Sequence, residues 1–464
     1  MEESLHMYQI DFRQPVFVHF IGIGGISMSG LAAVLLKEGF QVSGSDSKES
    51  ELTAWLREKG AQITIGQSAG NIRPEHDVIV YTAAIHPDNP EYAAACAQNK
   101  PMLTRAQLLG QIMKNYEVPI AVSGTHGKTT TTSMLSHIML AGELDPTISV
   151  GGILKAIHGN IRVGNSPYFI TEACEYTNSF LSFFPKISLI LNIDADHLDF
   201  FRDLEDIRHS FRRFAQLLPE DGTLIINGQI PRLHEITEGL PCRIITYGTP
   251  DSDYHAVHIS YNELGFGSFD LIKNGVMEGH FDLSVPGEHN VSNAVACLAA
   301  ADLLDISPDA RYQGLRSFTG ADRRFQYKGE VNGVTVIDDY AHHPTEITAT
   351  LKAARNYPHK NVWCVFQPHT YTRTHALLDD FARALTLADR IVLADIYAAR
   401  EINTIGITSE DLQRKIQELG KEAWYFHSFA EIEDFVSEHC VDGDLLITMG
   451  AGDVVNIGED LLKR

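Results

Sequence analysis

The sequence predicts an α/β fold of three domains, and three observations lead to this prediction. The chain has 464 residues, which is more than one hydrophobic core usually organises. Short apolar runs alternate with helical stretches along almost the whole chain, a pattern typical of parallel sheets flanked by helices. The succession of strand, loop and helix begins anew near Val118 and near Gly333, which divides the chain into three α/β units.

These units set the expected domain boundaries. We expect a Rossmann-like domain over 1–113, a central domain with a mostly parallel sheet over 114–323, and a second Rossmann-like domain over 324–464. The stretch 241–283 is polar and rich in strand-forming residues, so we expect an antiparallel extension there. The apolar runs that predict strands are VFVHFIGIGG, QVSGSD, HDVIVYTAAI, VPIAVSG, KISLILNI, GTLIIN, GVTVIDDYA, NVWCVFQP, RIVLADIYA and DLLITMGAG.

Charge and cysteine content exclude several classes of function. Acids outnumber bases 60 to 37, for a formal charge of -23, which argues against nucleic acid or an anionic membrane as a partner. The six cysteines are scattered without a CxxC pair, which indicates a reducing cytoplasm and no disulfide framework. The first residues contain two acids and no long apolar run, so we expect neither a signal peptide nor membrane insertion. Nothing in the sequence calls for an obligate protein partner.

The segment GTHGKTTTT, residues 124–132, is the strongest local signal. It follows an apolar run and opens a helix, so its glycines let backbone N–H groups approach phosphate oxygens. Lys128 adds a positive charge and the Thr129 hydroxyl can bind Mg²⁺. A full Walker A motif has glycine where this chain has Val122. We predict a central P-loop ATPase with ATP and Mg²⁺ as cofactors, held at Gly124, Thr125, His126, Gly127, Lys128, Thr129 and Thr130.

Acids and a histidine follow two further predicted strands. Glu172 ends the run YFIT, and Asp194, Asp196 and His197 follow LILNI. The carboxyl ends of parallel strands are where an open α/β sheet binds ligands. We therefore predict Glu172 and His197 as metal ligands beside Thr129. Glu172 could instead support the ligands from behind, His197 could instead contact a phosphate, and a capping or surface role is the alternative for each.

Two loops offer contacts for the nucleotide. Asn290 and Asn293 in GEHNVSNA lie three apart on a predicted helix, so both could face an adenine edge, although helix capping explains them equally well. GADRRFQ, residues 320–326, contributes Arg324. A guanidinium pairs well with phosphate, and an exposed interdomain salt bridge is the alternative.

Two motifs of the third unit follow strands and carry histidines. DDYAHHPTEI, residues 338–347, includes Tyr340 and His342, and FQPHTYTRT, residues 366–374, includes His369 and Arg373. So many polar groups at strand ends need partners. We predict that these four residues border the site of a second substrate, with a hydrogen-bonded structural role as the alternative for each single histidine.

The first glycine-rich loop, GIGGISMSGLA, resembles a dinucleotide fingerprint but departs from it. Ser27 stands where the third glycine belongs, and Asp46 ends the second strand about twenty residues on. The loop can still hold a phosphate, such as the diphosphate of UDP. The predicted substrate contacts of this domain are Gly22, Gly24, Gly25, Ser27 and Asp46.

The motifs together resemble the Mur ligase family. GIGGISMSGLA, TRAQLLGQIM, SGTHGKTTTT, EACEYTNSFL, NIDADHLDFF, GEHNVSNA, GADRRFQ, DDYAHHPTEI, FQPHTYTRT and ADIYAARE follow the family order. The resemblance implies domains that bind a UDP sugar, ATP and an amino acid in turn. It implies ATP-dependent ligation of L-alanine to UDP-N-acetylmuramate through an acyl phosphate, with release of ADP and phosphate, in peptidoglycan synthesis. The catalytic residues that it implies are Lys128, Glu172, His197 and His342.

Three departures bear on specificity and modification. EACEYT carries Cys174, Tyr176 and Thr177 where the family often has EADESD. Thr370 replaces the arginine of a common PHRY motif, and 198–216 contains no lysine, so we expect no carbamylated lysine. With Thr370 in place, Arg373 is expected to bind the alanine carboxylate.

Other functions explain less of the sequence. A ligase that attaches a recycled peptide to the same sugar nucleotide is the nearest alternative, but FQPHTYTRT and DDYAHHP favour the alanine reaction. A folylpolyglutamate synthetase lacks the UDP-binding domain. A nicotinamide dehydrogenase would account for 16–46 alone, and a non-catalytic nucleotide-binding protein would not need the clustered acids and histidines.

Overall fold

Three β-sheets organise the protein. The computed structural model describes residues 7–82, 84–399 and 401–464. The sheets have five, ten and six strands and follow one another along the chain, which is the predicted three-domain α/β architecture. Within the described ranges, no helix combines the length and the apolar character that a bilayer crossing needs.

The N-terminal domain is a parallel sheet with helices on both sides. Its elements are β1 (Phe17–Ile21), α1 (Ile26–Lys37), β2 (Gln41–Asp46), α2 (Glu51–Glu58), β3 (Gln62–Ile65), β4 (Val78–Tyr81), α3 (Pro90–Ala97), β5 (Met102–Thr104) and α4 (Arg105–Met113). The strand order is β3-β2-β1-β4-β5, and all pairs are parallel. The order reverses between β1 and β4, so the loops after these strands border the crevice where such sheets bind ligands.

The central domain carries the largest sheet. Its elements are β6 (Val118–Ser123), α5 (Lys128–Ala141), β7 (Thr147–Leu154), β8 (Gly159–Arg162), β9 (Tyr168–Ala173), β10 (Ile187–Ile190), α6 (Leu204–Ala215), β11 (Thr223–Asn227), α7 (His234–Thr237), β12 (Arg243–Tyr247), β13 (Tyr254–Tyr261), β14 (Phe266–Lys273), β15 (Val276–Pro286), α8 (Glu288–Leu303) and α9 (Pro308–Ser317).

Two kinds of strand pairing meet in this sheet, whose order is β15-β14-β13-β12-β11-β10-β6-β9-β7-β8. The strands from β12 to β7 pair in parallel. The predicted antiparallel extension is confirmed for β13, β14 and β15, whereas β12 still pairs in parallel with β11. At the opposite edge of the sheet, β8 pairs antiparallel with β7. None of the predicted strands corresponds to β8.

The C-terminal domain is again mostly parallel. Its elements are β16 (Gln326–Val331), β17 (Val334–Asp339), α10 (Pro344–Ala354), β18 (Val362–Phe366), α11 (Tyr371–Ala376), α12 (Leu378–Leu385), β19 (Arg390–Leu393), α13 (Ser409–Glu418), β20 (Ala423–Tyr425), α14 (Phe429–His439), β21 (Leu445–Met449) and α15 (Val455–Leu461). The order is β16-β17-β21-β18-β19-β20, with β16 antiparallel. Each predicted apolar run coincides with a strand here and in the other domains.

The central domain contacts both neighbours. Lys37 at the end of α1 donates hydrogen bonds to the carbonyls of Val163 and Gly164, at 3.1 and 2.7 Å. On the other side, His343 Nε2 donates to the carbonyl of Ala195 at 3.0 Å. The carboxyl ends of the central strands thus face loops from the C-terminal domain, which defines the position of the site.

Candidate active site

The phosphate loop has the geometry that the GTHGKT segment predicts. It connects β6 to α5, and α5 begins at Lys128. Gly127 has φ of 84°, a left-handed conformation that favours glycine. A Cβ atom there would lie 3.1 Å from Asn293 Oδ1. Glycine therefore lets the loop turn closely against α8 while the first amides of α5 stay available to an anion.

Lys128 is held inside this loop by a buried acid. Its Nζ donates to the carbonyls of Gly124 and Thr125 and lies 2.9 Å from Glu175 Oε2. Burial disfavours the charged ammonium, but the Glu175 carboxylate more than offsets this and raises the pKa of Lys128. Glu175 is 1% exposed, and its Oε1 accepts no hydrogen bond from the described part of the chain. Sequence reasoning missed Glu175, although it stands in the EACEYT motif beside Glu172.

Thr129 and Glu172 form the oxygen-rich part of the site. Thr129 Oγ1 donates to Glu172 Oε2 at 3.0 Å, and the Gly151 amide donates to Oε1 at 2.5 Å. Burial raises the pKa of Glu172, so a nearby cation would stabilise its ionised form. A hydroxyl and a carboxylate are oxygen donors of the kind Mg²⁺ takes from proteins, together with phosphate and water. These two residues fit the predicted ion.

His197 lies beside this pair in the same cleft but has different neighbours. Its Nε2 is 3.8 Å from Glu175 Oε1 and also from Asp196 Oδ2, and its ring stacks on Tyr176 at 4.5 Å between centroids. Among the described residues, no group of three or more His, Cys, Asp or Glu side chains has metal-site geometry. Because Mg²⁺ prefers oxygen to nitrogen donors, a contact from His197 to a phosphate or a bound water suits its chemistry better than direct ligation.

A pocket of about 200 Å³ opens next to the phosphate loop. Its apolar wall is formed by Val285, Pro286, Phe318 and Phe325. The predicted residues His126, Gly127, Thr130, Asn290, Asn293 and Arg324 also line it. A pocket with an apolar wall and polar groups beside a phosphate loop suits a nucleotide base.

The two asparagines of this pocket hold each other in place. Asn290 Nδ2 donates to the carbonyl of Pro286 at 2.7 Å, and Asn293 Nδ2 donates to Asn290 Oδ1 at 3.2 Å. Both side chains are buried. Because both the nitrogen and the oxygen of the Asn290 side-chain amide already form hydrogen bonds, Asn293 retains more hydrogen-bonding capacity for a base edge.

A charged group links the phosphate loop to the C-terminal domain. His126 Nε2 is 3.1 Å from Asp194 Oδ2, and His126 Nδ1 is 3.4 Å from Glu346 Oε1. Burial alone would lower the pKa of His126, but the two carboxylates raise it to about 9. Arg324 lies over the Tyr340 ring, 5.2 Å from its centroid, with Nη1 4.0 Å from Glu346. Glu346, which sequence reasoning missed, therefore positions two cations near the expected phosphates.

All three domains contribute to a larger cleft of about 650 Å³. The predicted residues on its surface are Thr125, Gly127, Lys128, Thr129, Glu172, His197, Arg324, Tyr340 and His342. His342 Nδ1 donates to the carbonyl of Tyr340 at 3.0 Å, which leaves the lone pair on Nε2. Burial lowers the pKa of His342 to about 4, so this side chain is neutral at pH 7.

A third cavity, of about 420 Å³, contains His369 and Arg373. The Arg373 guanidinium is already paired, since Nε and Nη2 each lie 3.0 Å from Asp196 Oδ1 and Nη1 is 3.1 Å from His369 Nδ1. Burial lowers the pKa of His369 to about 4. Arg373 therefore joins the two domains as well as facing the cavity, and binding of a carboxylate there competes with Asp196.

The glycine-rich loop of the N-terminal domain is tied to its own sheet. The Gly24 amide donates to Asp46 Oδ2 at 2.8 Å, and the Ser47 amide donates to Asp46 Oδ1 at 2.8 Å. The Asp46 carboxylate is thus committed to backbone groups rather than open to a ribose. Of the described residues in this domain, Ile26 alone lines the cleft, so Gly22, Gly24, Gly25, Ser27 and Asp46 lie beside it rather than on its surface.

The chain is similar to known proteins along almost its whole length. Family models match in order: Mur ligase family, catalytic domain, over 17–117, Mur ligase middle domain over 122–301, and Mur ligase, glutamate ligase domain, over 323–452. A UDP-N-acetylmuramate–L-alanine ligase of Agathobacter rectalis is 62% identical over 99% of this chain and 100% of its own. A protein of that name from Lachnospira eligens is 57% identical over 98% and 100%.

Two solved structures have the same architecture. A UDP-N-acetylmuramate–alanine ligase from Thermotoga maritima aligns with a TM-score of 0.79 at 31% identity, covering 96% of this chain and 98% of the other. A murein peptide ligase from Psychrobacter arcticus aligns with a TM-score of 0.69 at 26% identity, covering 97% and 98%.

Proposed function

Because this chain belongs to the Mur ligase family, we propose that it joins L-alanine to UDP-N-acetylmuramate with ATP as the energy source. The observation that carries the proposal is that the three cavities adjoin one another. Gly127, Arg324 and Glu346 border both the nucleotide pocket and the cleft. Asp196 and His197 border both the cleft and the third cavity. Cavities that share walls in this way would bring nucleotide, carboxylate and amine close together.

The first step transfers a phosphoryl group to the lactyl carboxylate. A carboxylate oxygen of the sugar attacks the γ-phosphorus, the bond to ADP breaks, and an acyl phosphate forms. Both partners are anions, so positive groups must offset their repulsion. Lys128 and the first amides of α5 are suited to hold the phosphates, and Arg324 can reach the same space from the C-terminal domain.

Magnesium fits the same step. Thr129 and Glu172 would hold Mg²⁺, with His197 alongside, and the ion would neutralise charge that develops on the phosphate oxygens. The hydrogen bond from the Gly151 amide holds the Glu172 carboxylate in its orientation, so the carboxylate would not need to move to bind the ion.

The second step forms the amide bond. The amine of L-alanine attacks the acyl carbon, a tetrahedral intermediate forms, and inorganic phosphate leaves. The neutral His342 can accept a hydrogen bond from the amine at Nε2. The amino acid would be surrounded by Tyr340, His369 and Arg373. Its carboxylate would replace Asp196 at some of the N–H groups of the Arg373 guanidinium.

The sugar nucleotide would reach the cleft from the N-terminal domain. Its diphosphate would bind by the loop of Gly22, Gly24, Gly25 and Ser27, which follows β1 at the reversal of strand order. Asp46 would act on this ligand through the loop that it holds.

All six cysteines are free in the described chain, which supports the reducing cytoplasm as the location of the protein.

Phosphate release in the presence of alternative amines tests the proposal. The protein is incubated with ATP, Mg²⁺ and UDP-N-acetylmuramate, plus L-alanine, glycine, L-serine or a tripeptide. We expect the highest kcat/KM with L-alanine and a product heavier by one alanine residue. Turnover with the tripeptide and none with L-alanine would instead assign the recycling reaction. Absence of phosphate release with every amine would contradict the proposal.

A further inference from the structure

One hairpin of the central domain lies between the N-terminal domain and Glu172, the carboxylate proposed to bind the metal. The hairpin consists of β7 and β8, which pair antiparallel. From β7, the Gly151 amide donates to Glu172 Oε1 at 2.5 Å. From β8, Asn160 Nδ2 donates to the carbonyl of Ile26, the first residue of α1, at 3.4 Å. The hairpin therefore connects a helix of the N-terminal domain with a carboxylate of the central domain.

Gly30 of α1 packs closely against Ile161 of β8. A Cβ atom at Gly30 would lie 2.8 Å from Ile161 Cδ1 and 3.2 Å from its Cβ and Cγ2. Gly30 is buried within a helix, where glycine costs stability relative to alanine. The close approach of Ile161 explains why this position has no side chain. Hydrogen bonds from Lys37 to the carbonyls of Val163 and Gly164 hold the same two segments together.

The position of Gly151 depends on this interface, because regular strand pairing ends before Gly151. On one side, β7 pairs with β9 as far as Ser149 and Thr171. On the other side, Ser149 pairs with Ile161 of β8, and the register is then interrupted between Ser149 and Leu154. Gly151 thus lies two residues beyond the point where β8 meets α1. A shift of Ile161 relative to α1 would therefore move the Gly151 amide.

The hairpin backbone is also in close contact with the Glu172 carboxylate. A Cβ atom at Gly151 would lie 2.9 Å from Glu172 Oε2 and 3.1 Å from Oε1. Thr129 Oγ1 donates to Oε2 from the other side, so a backbone amide and a hydroxyl together hold the carboxylate. Groups that hydrogen-bond to a metal ligand set its orientation, and losing one typically costs about 10- to 100-fold in metal affinity.

We propose that Gly30 and Ile161 are positioning residues for the metal site. Their contact fixes the hairpin, and the Gly151 amide of the hairpin orients Glu172 towards Mg²⁺. The inference rests on the proposed function, because it takes Mg²⁺ to bind at Thr129 and Glu172. The metal affinity of the central domain then depends on how the N-terminal domain packs against it.

Two substitutions of complementary size test this contact. Gly30→Ala adds the Cβ atom that overlaps Ile161, and Ile161→Val removes the Cδ1 atom nearest to that Cβ. Binding of Mn²⁺, which takes oxygen ligands as Mg²⁺ does, is measured by electron paramagnetic resonance in the presence of ADP. We expect Gly30→Ala to raise the Kd for Mn²⁺ about 3- to 10-fold, less than the loss of a direct hydrogen bond to a ligand. The double variant should return to within about twofold of the wild type.

Two further variants calibrate the measurement. Gly70→Ala makes the same substitution in the same domain, where the nearest atom outside the adjacent residues is Ser68 Oγ, at 3.9 Å. It should leave Mn²⁺ binding unchanged, whereas Glu172→Gln should weaken binding more than Gly30→Ala does. Melting temperatures of the metal-free proteins should fall for Gly30→Ala and recover in the double variant, because overpacking is relieved. At saturating Mg²⁺, the KM for L-alanine should stay within about twofold in the glycine variants.

Three results would overturn the inference. One is an unchanged Kd for Mn²⁺ in a folded Gly30→Ala variant, and another is an equal loss of affinity in Gly30→Ala and Gly70→Ala. The third is a loss that Ile161→Val does not reverse although the melting temperature recovers. If Gly30→Ala does not fold, Ile161→Ala takes its place, since a gap at the same contact should also raise the Kd. An unchanged Kd in that variant counts equally against the inference.

The binding assay contains neither the sugar nucleotide nor the amino acid. Failure of the wild type to ligate L-alanine would therefore contradict the proposed function and leave the role of the hairpin standing. Equal Mn²⁺ binding by the wild type and Glu172→Gln would instead remove the ion from Glu172 and overturn the inference.

Discussion

Arg373 and Asp196 form an ion pair that joins the C-terminal domain to the central domain, with Nη2 and Oδ1 3.0 Å apart. Both side chains are largely buried, at 11% and 7% exposure. Burial alone would raise the pKa of Asp196, but Arg373 and nearby histidines lower it. The same guanidinium is the group that we expect to bind the alanine carboxylate, so one cation would serve a domain contact and a substrate in turn.

A double-mutant cycle separates these two uses of Arg373. Arg373→Met leaves Asp196 buried without its partner, so we expect unfolding free energy to fall by roughly 3 kcal/mol. Adding Asp196→Asn should recover much of this loss. The KM for L-alanine should stay raised at least about tenfold in both variants, with that for ATP nearly unchanged. A normal alanine KM in the stabilised double variant would remove Arg373 from the amino-acid site.

Lys128 should be needed for chemistry independently of its contact with Glu175. Lys128→Ala removes a preorganised positive charge, so we expect kcat to fall on the order of 10²-fold or more. It also leaves Glu175 buried and unpaired, which should lower the melting temperature. Adding Glu175→Gln should restore thermal stability without restoring turnover. Near-normal turnover in either folded variant would contradict the assignment of the phosphate loop.

The N-terminal domain should bind UDP sugars and reject NADH. Asp46 accepts hydrogen bonds from the Gly24 and Ser47 amides, so its carboxylate is not available to a nicotinamide ribose. Ser27 also replaces the glycine that a dinucleotide loop needs. Calorimetry with NADH should show no binding at micromolar concentrations, whereas UDP-N-acetylmuramate should bind. Micromolar NADH binding without binding of the UDP sugar would reverse this interpretation.

His126 should make stability depend on pH on the alkaline side of neutrality. Its pKa is 6.5 when unperturbed and about 9 in the folded protein. A raised pKa means that the folded state holds the proton more tightly, so the stabilisation is complete below about pH 6.5 and is lost as the pH rises towards 9. His126→Gln should show a smaller fall in melting temperature across this interval. Parallel melting curves of the two proteins over this pH range would contradict the prediction.

Strand positions are readily predicted from this sequence because buried parallel strands are continuous apolar runs. The run IAV before GTHGKT and the run KISLILNI before Asp194 are examples, and each overlaps a strand of the central sheet. The hairpin of β7 and β8 is harder to predict, because it contains glycines and its buried and half-buried residues do not alternate regularly. Yet Gly151 of this hairpin orients Glu172.

The contact partners of a site residue are harder to predict from the sequence than the motif that contains the residue. The sequence identifies Lys128 and His126 through a recognisable loop. Their acidic partners, Glu175 and Glu346, come from distant segments and resemble ordinary surface acids until the chain folds. Such features depend on tertiary proximity, which local pattern does not encode.

The contacts at Ala195 and Asp196 also affect how the C-terminal domain can be exchanged for that of a homologue. His343 and Arg373 of the C-terminal domain meet two consecutive residues of one central loop. A chimera that takes its C-terminal domain from a distant homologue would inherit partners selected for another loop. Transplanting the short segment around Asp196 along with that domain should therefore matter more than the choice of crossover point. The C-terminal domain should be exchanged together with the few central-domain residues that it contacts.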